Sequence, residues 1–536
     1  MISRKSLDNI REIYPITVSV LCDEALGRIA SDIKDEKPGD MHAYLKKNPK
    51  DDIPPFIPDL ALLEWKKYNV SRQNAAGDRV PGKYDLNPSL EVVKVGWKLV
   101  PFFYDKAGRG SAGVEMSGDL VLMWKDRSTG EVIVKSATDK EILAIKFIVD
   151  ELDFEDIAAG WITRMRFRKI LSEMTRKGIL LTGGSSLRRS GSAFAMEDIP
   201  EERMAADTFT LQWHITNACD LKCRHCYDRS KRSPLTLKDG MKILGDMERF
   251  CFERNTRGHI CFTGGNPFMS PVFFELYRSA AQRGFSTSIL GNPVKRPLLE
   301  KMIEIQKPGY FQVSLEGLWR HNDFIRGEGH YSRVMGFLDI LKELHIKATV
   351  MLTLTKDNMD QVIPLSRELK GKADYFTFNR LSQVGEGADL ALPSRSEYAV
   401  FLDKYVEASR DNPIIGFKDN LLNIILDKRG EKAFSGCTGY GCGAAFNFIT
   451  VLPDGEAHAC RKFPSLIGNA LNQTIQDIYD SDIAQKYREG CRRCDGCRLR
   501  PVCGGCLAVA NGQGLDVFND VDPFCFIDDD TSPGRR

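Results

Sequence analysis

Short apolar runs alternating with amphipathic stretches fill the middle of the chain. The runs are "FTLQWHI", "HICFTG", "FSTSIL", "YFQVSL", "KATVMLTL" and "DYFTFN", and they predict strands. Between them, stretches such as "LKDGMKILGDMERFCFE" and "SRVMGFLDILKELHI" repeat apolar positions at helical spacing. Six β-α units with right-handed crossovers predict an α/β fold with a parallel sheet over 207–411, either a partial barrel or a doubly wound sheet. Chemistry in such folds gathers at the carboxyl ends of the strands.

Upstream the pattern differs. "GDLVLMWKDRSTGEVIVKSA" reads as two strands joined by a Ser-Thr-Gly turn. Helical periodicity follows in "DKEILAIKFIVDEL" and "WITRMRFRKILSEMTRKGILL". Together these outline a small winged helix-turn-helix over 115–183. Residues 1–114 read as mixed and largely helical, broken by the Pro-rich "DDIPPFIPDL". A Gly- and Ser-rich linker occupies 184–206, and a bridging region covers 412–434. From 435 to 536 the chain turns Cys- and Gly-rich with few periodic segments, so metal must replace part of the core.

At 536 residues the chain is too long for one core and predicts three or four domains. A net charge of +2 gives no reason to expect nucleic acid or an anionic membrane as partner. No window reaches the length of an apolar span, so a cytoplasmic protein is expected. Of 15 cysteines, three fall within 219–226 and nine between Cys437 and Cys525. Disulfides are not sustained in a reducing cytoplasm, and clustered thiols there mean metal. Cys22, Cys251 and Cys261 stand apart and read as buried small hydrophobes.

The first cluster, "ITNACDLKCRHCYD", places C-x-x-x-C-x-x-C just after the first strand of the series. A [4Fe–4S] cluster normally takes four thiolates, so three leave one iron open. Zinc, with His225 as fourth ligand, is the alternative. Here the chain resembles the radical S-adenosylmethionine (SAM) superfamily. The resemblance implies that Cys219, Cys223 and Cys226 hold the cluster and that SAM chelates its open iron. One-electron reduction then splits SAM into methionine and a 5′-deoxyadenosyl radical that abstracts a substrate hydrogen. It also implies an electron donor such as flavodoxin or ferredoxin. His225 occupies a position where an aromatic residue often lies against the adenine. "CFTGGNP" resembles the family's Gly-Gly-Glu-Pro loop, which meets the methionine ammonium. Gly264 and Gly265 are kept and Asn266 replaces the acid, losing a charged contact. In "VSLEG" and "HNDFIRG", Ser314 and Arg326 match the family's ribose and SAM-carboxylate contacts, the latter suited to arginine's rigid fork. "FNRLSQVGEG" resembles the end of the sixth strand in peptide-modifying members. No catalytic side chain is assigned.

The later cysteines resemble the SPASM domain, which carries two auxiliary [4Fe–4S] clusters. Carried over, Cys437, Cys442, Cys460 and Cys506 hold one, and Cys494, Cys497, Cys503 and Cys525 the other. Cys503 and Cys506 stand two residues apart where the family has three, and Cys491 is left over. Taken alone, this segment also suits a zinc ribbon.

The 115–183 segment resembles the peptide-recognition element of ribosomal-peptide maturases, which adds a leader peptide to the edge of a three-stranded sheet. Its only basic cluster is "RMRFRK", which argues against a DNA-binding winged helix. The combination implies a radical SAM maturase acting on a precursor peptide. "GYGCGAAFNF" and "ACRKFPS" most resemble the selenobiotic type, implying oxidation at or next to Cys or selenocysteine, to a crosslink or heterocycle. Two alternatives stand beside it. One is an anaerobic sulfatase-maturase-like enzyme making formylglycine, but Arg461 occupies the position of that group's basic Asp and cannot act as a base. The other is a non-catalytic iron–sulfur or zinc scaffold that passes electrons or holds a partner.

Overall fold

The computed structural model describes residues 4–33, 41–73, 81–104, 114–158, 162–189 and 199–527. It forms two compact units, Met1–Gly183 and Gly184–Arg536, fewer than the three or four that length predicts. Among the described residues, no helix is long and apolar enough to cross a membrane.

The first unit opens with helices Arg4–Ile13, Pro15–Val20, Asp23–Asp32, Met41–Lys47 and Ile57–Arg72. The Pro-rich break leads into the last of these, with proline in its first turn, where a missing N–H costs nothing. Its buried Glu64 accepts the backbone N–H groups of Ile16 and Thr17, both at 2.7 Å, and so closes the start of the Pro15 helix. Strands β1 (Tyr84–Leu86), β2 (Glu91–Val95), β3 (Asp119–Lys125), β4 (Val132–Ser136) and β5 (Leu180–Thr182) follow. The order β2-β3-β4 makes an antiparallel sheet, and β1 pairs with β5. The predicted hairpin is β3–β4. The third strand comes from upstream of 115, where "EVVKV" interrupts its apolar positions with Glu91 and Lys94 and so does not stand out as a strand. Val93, Val95, Val121, Met123 and Val134 bury one face against Leu60 and Leu63 of the Ile57 helix. Helices Asp139–Val149 and Arg164–Arg176 begin at Thr138 and Thr163, whose side chains accept the N–H of Glu141 and Arg166.

The second unit is built on one nine-stranded sheet. Strands β6 (Thr208–Thr216), β7 (Arg257–Gly264), β8 (Ser286–Leu290), β9 (Phe311–Ser314), β10 (Ala348–Leu354) and β11 (Tyr375–Arg380) run parallel in chain order. These are the six predicted runs, joined by helices, and they form an open parallel sheet. The auxiliary region continues the same sheet. Strand β12 (Phe448–Val451) pairs in parallel with β6, and β13 (Glu456–His458) and β14 (Leu466–Asn469) extend it antiparallel. Shared strand pairing is why the parallel strands and the Cys-rich segment make one unit. Alternation sorts the two faces: Phe209, Leu211 and Trp213 of β6 bury into the core, as do Ile260 and Phe262 of β7. The intervening Gln212, His214, Cys261 and Thr263 lie on the opposite face.

Candidate functional site

A cavity of about 510 Å³ opens at the carboxyl ends of these strands. Its wall includes Cys219, Cys223, His225 and Cys226, the glycines Gly264 and Gly265, and Ser314 and Arg326. Thus the structure brings together all but one of the residues matched to the cluster and SAM. Asn266 does not line the cavity. It is buried, its Oδ1 accepts the N–H of Phe268 at 3.4 Å, and its Nδ2 donates to Asp220 at 3.2 Å. Asn292 does line it, donating to Asp220 at 2.7 Å and to the Cys219 sulfur at 3.4 Å.

The cysteine loop carries no regular structure, so its shape is imposed by neighbours. Arg224 N–H donates to the Ile325 carbonyl at 3.0 Å, and Glu386 N–H to the Cys226 carbonyl at 2.9 Å. The two glycines serve this loop directly. A Cβ on Gly264 would meet the Thr216 carbonyl oxygen at 2.1 Å, and one on Gly265 the Ala218 oxygen at 2.2 Å. Gly265 and Asn266 donate to those same carbonyls at 2.8 Å. Their smallness lets β7 end against the backbone entering the cysteine loop, a role different from the ligand contact that the resemblance implies.

Arg326 makes a buried ion pair. Its Nε donates to Glu316 Oε1 at 2.8 Å, with a second bond from Nη2. His225 Nε2 lies 3.3 Å from the same oxygen, and Glu316 Oε2 accepts the N–H of Thr353 at 2.7 Å. Burial alone would push the Glu316 carboxyl up, but Arg326, His225 and the Thr353 N–H outweigh it and hold it well below the usual carboxylate range. The guanidinium also reaches the Cys223 sulfur at 3.8 Å. Glu316 sits inside the "VSLEG" segment; its proximity to Arg326 was the missing information.

The later cysteines fall into two groups. Cys442 lies within electrostatic reach of Cys437, Cys460 and Cys506. A second cavity, of about 30 Å³, is lined by Cys494, Cys497, Cys503 and Cys525. These are the two sets that the resemblance implies. Gly504 and Gly505, at φ of +68° and +65°, reverse the chain between Cys503 and Cys506 and send the two thiols to different groups. The shortened spacing is absorbed there. Asn420 of the bridging region fixes the turn, donating to the Cys503 and Gly505 carbonyls at 2.8 and 2.7 Å and accepting the Cys437 N–H at 2.7 Å. Burial pushes the thiol of Cys442 up to about 12 and that of Cys460 up to about 11. Such thiols ionise only against a cation, so iron bound here displaces their protons. Among the described residues no three His, Cys, Asp or Glu side chains converge on a single ion. A cubane needs no such convergence, because each of its irons takes its own thiolate. The donor sets therefore fit clusters.

Cys491 is buried and shares a thiol–thiol hydrogen bond with Cys494, which lowers it to about 7. Cys251 and Cys261 are buried as expected, whereas Cys22 is exposed, standing just before the Asp23 helix.

Two family patterns match. The radical SAM superfamily covers residues 213–369, and the iron-sulfur cluster-binding SPASM domain covers 442–506. The AdoMet-dependent heme synthase of Methanosarcina barkeri is 23% identical over 61% of this chain and 97% of its own length. The antilisterial bacteriocin subtilosin biosynthesis protein AlbA of Bacillus subtilis is 25% identical, over 63% of this chain and 74% of its own. Mycofactocin maturase MftC of Mycolicibacterium smegmatis is 27% identical, over 59% and 82%. Among solved structures, Streptococcus suis SuiB bound to precursor peptide SuiA is similar at 16% identity and a TM-score of 0.49, covering 76% of this chain and 97% of that one. The chain thus carries a radical SAM domain and a SPASM domain, which imply [4Fe–4S] clusters and SAM as cofactors.

Proposed function

We propose that this enzyme oxidatively modifies a ribosomally made precursor peptide, whose leader is held by the N-terminal unit. Cys219, Cys223 and Cys226 would hold one cluster and the cavity beside them SAM, and the two four-cysteine groups would hold one cluster each. When bound, cluster and SAM supply the 5′-deoxyadenosyl radical that takes a hydrogen atom. The chain's own residues orient and shield that chemistry. Glu316 fixes Arg326 beside the Cys223 sulfur, Asn292 and Asp220 hold the loop at Cys219, and Ser314 and His225 line the space left for SAM.

The observation that carries the peptide reading is the sheet β2-β3-β4. The Tyr104 hydroxyl donates to the Val134 carbonyl at 2.6 Å and accepts the Val134 N–H at 3.2 Å, closing the outer edge of β4. Among the described residues no strand pairs with the outer side of β2. An extended leader adding there gains backbone hydrogen bonds. The recognition element therefore takes in Glu91–Val95 besides 115–183. Two relatives, named for bacteriocin biosynthesis and for mycofactocin maturation, support this class. The modified residue is a Cys or selenocysteine or its neighbour, and the product is a crosslink or heterocycle lighter by two hydrogens. Thiolate attack suits it, since the thiolate is the nucleophilic form. Thiols that must stay reduced place the protein in the cytoplasm, where flavodoxin or ferredoxin supplies electrons.

A second reading, a tetrapyrrole substrate, draws on the heme synthase match. The test is anaerobic co-expression with the small peptide encoded beside this gene, followed by mass analysis. Loss of two hydrogens is expected with the whole chain and not with a chain lacking residues 1–183. Equal processing of a leaderless peptide would refute the recognition role, and conversion of a porphyrin with no peptide change would refute the substrate class.

A further inference from the structure

Four arginines line the main cavity, and three have carboxylate partners. Arg229 pairs with Glu386 at 3.2 Å, Arg326 with Glu316, and Arg380 with Asp419 and Asp522 at 2.7 and 2.6 Å. Arg461 has none among the described residues. Its one described hydrogen bond is a long one, from Nη1 to the Thr263 hydroxyl at 3.4 Å, from a group with five donors. Three side chains that feel its charge are neutral ones. It faces His214, which burial lowers to about 3 and keeps neutral, the buried phenol of Tyr227, and the buried thiol of Cys261. Asp228, the one carboxylate on the cavity wall, is already bound by Arg232 and Ser230. The neighbouring Lys462 acts on Cys460 and, together with Arg380, on Cys506. Arg461 is carried on the auxiliary segment after β13 yet reaches Thr263 at the end of β7, where it lines the cavity.

We propose that Arg461 recognises a carboxylate of the substrate, either an acidic side chain or a C-terminus, and so sets which peptide segment enters the cavity. The assignment rests on the peptide reading for its substrate class. A planar fork with unused donors matches a carboxylate through two parallel bonds. The same position that excludes a basic role for residue 461 thus supplies a specificity contact.

Arginine footprinting tests this on the reconstituted holoenzyme. Phenylglyoxal labelling of Arg461 is followed by mass analysis, alone, with SAM, and with SAM plus one of three probes. N-acetylglutamic acid α-amide offers a side-chain carboxylate, N-acetylglycine a terminal one, and N-acetylglutamine α-amide neither. Protection of Arg461 by one of the first two, and not by the glutamine compound, is expected and identifies the source. Full protection by SAM alone assigns Arg461 to the cofactor and overturns the proposal, as does equal labelling with all three probes. With the peptide encoded beside the gene, Arg461→Gln raises KM roughly ten- to a hundredfold, the size of a lost charge-assisted bond, and Arg461→Lys recovers part. An unchanged KM overturns the proposal. If no peptide is ever modified while the carboxylate probe still protects, the peptide reading falls and the Arg461 assignment stands.

Discussion

Glu316→Gln is the sharpest single perturbation of the cavity. The Glu316 side chain is 2% exposed and that of Arg326 11%, so the substitution leaves a guanidinium buried without its counter-charge. Breaking such a pair costs about 3–5 kcal/mol, because the remaining ion keeps its desolvation penalty. Unfolding entropy runs at about 2.1 cal/mol/K per residue. Spread over the unit Gly184–Arg536, the loss lowers Tm by about 4–7 °C. The sign of the pH dependence follows from the depressed carboxyl. Its stabilisation is complete above the unfolded value of about 4.3 and is lost only as pH falls below it. The deficit of the variant is therefore the same at neutral pH as in mildly acidic buffer. Thermal unfolding of anaerobically prepared protein, followed by circular dichroism, measures it. Replacing both partners, as in Glu316→Leu with Arg326→Met, costs less than Glu316→Gln alone, since no unpaired charge remains. A single-variant loss under about 1 kcal/mol, the range of exposed pairs, would show that water reaches the pair and that the reasoning fails.

Three further outcomes follow. Reconstituted protein binds about 12 iron atoms, four per cubane, and changing Cys219, Cys223 and Cys226 together to Ala leaves about 8; stoichiometric zinc in an iron-free protein contradicts this. Gly265→Ala drives a methyl into the Ala218 carbonyl, so iron falls by about four with the auxiliary content kept; a full iron complement shows that the loop has room. Arg380→Met strands Asp419 and Asp522, both buried, and destabilises by at least about 3 kcal/mol, read as a fall in Tm.

Much of this architecture is written in local pattern. The six parallel strands are apolar runs of ordinary length, and the cysteine sets are those that the resemblance to the SPASM pattern implies. What escaped is non-local. Strand β12 is four residues long, and nothing in "FITV" announces a partner in β6. Glu316 stands in "VSLEG", but its tie to Arg326 depends on the helix Trp319–Arg326 folding back against the end of β9. Gly264 and Gly265 stand in the resembling loop, but that the Thr216 and Ala218 carbonyls lie against them is seen only in the fold. Strand β1 is three residues long, and β2 carries Glu91 and Lys94 among its five, so neither stands out as an apolar run.

The pairing of β6 with β12 carries a cost in time. Gln212 and its side-chain partner Thr450 lie 238 residues apart. At about 5–20 residues per second of synthesis, that interval takes roughly 10–50 s. Throughout it, the strand that leads into the first three cysteines has one flank unsatisfied, an invitation to pair with another chain. A nascent chain stalled before Val451 is accordingly an aggregation seed, and slow translation between the two strands lengthens the exposure. The auxiliary segment thus covers the free flank of β6, and trimming it yields a sticky half-protein in place of a smaller enzyme.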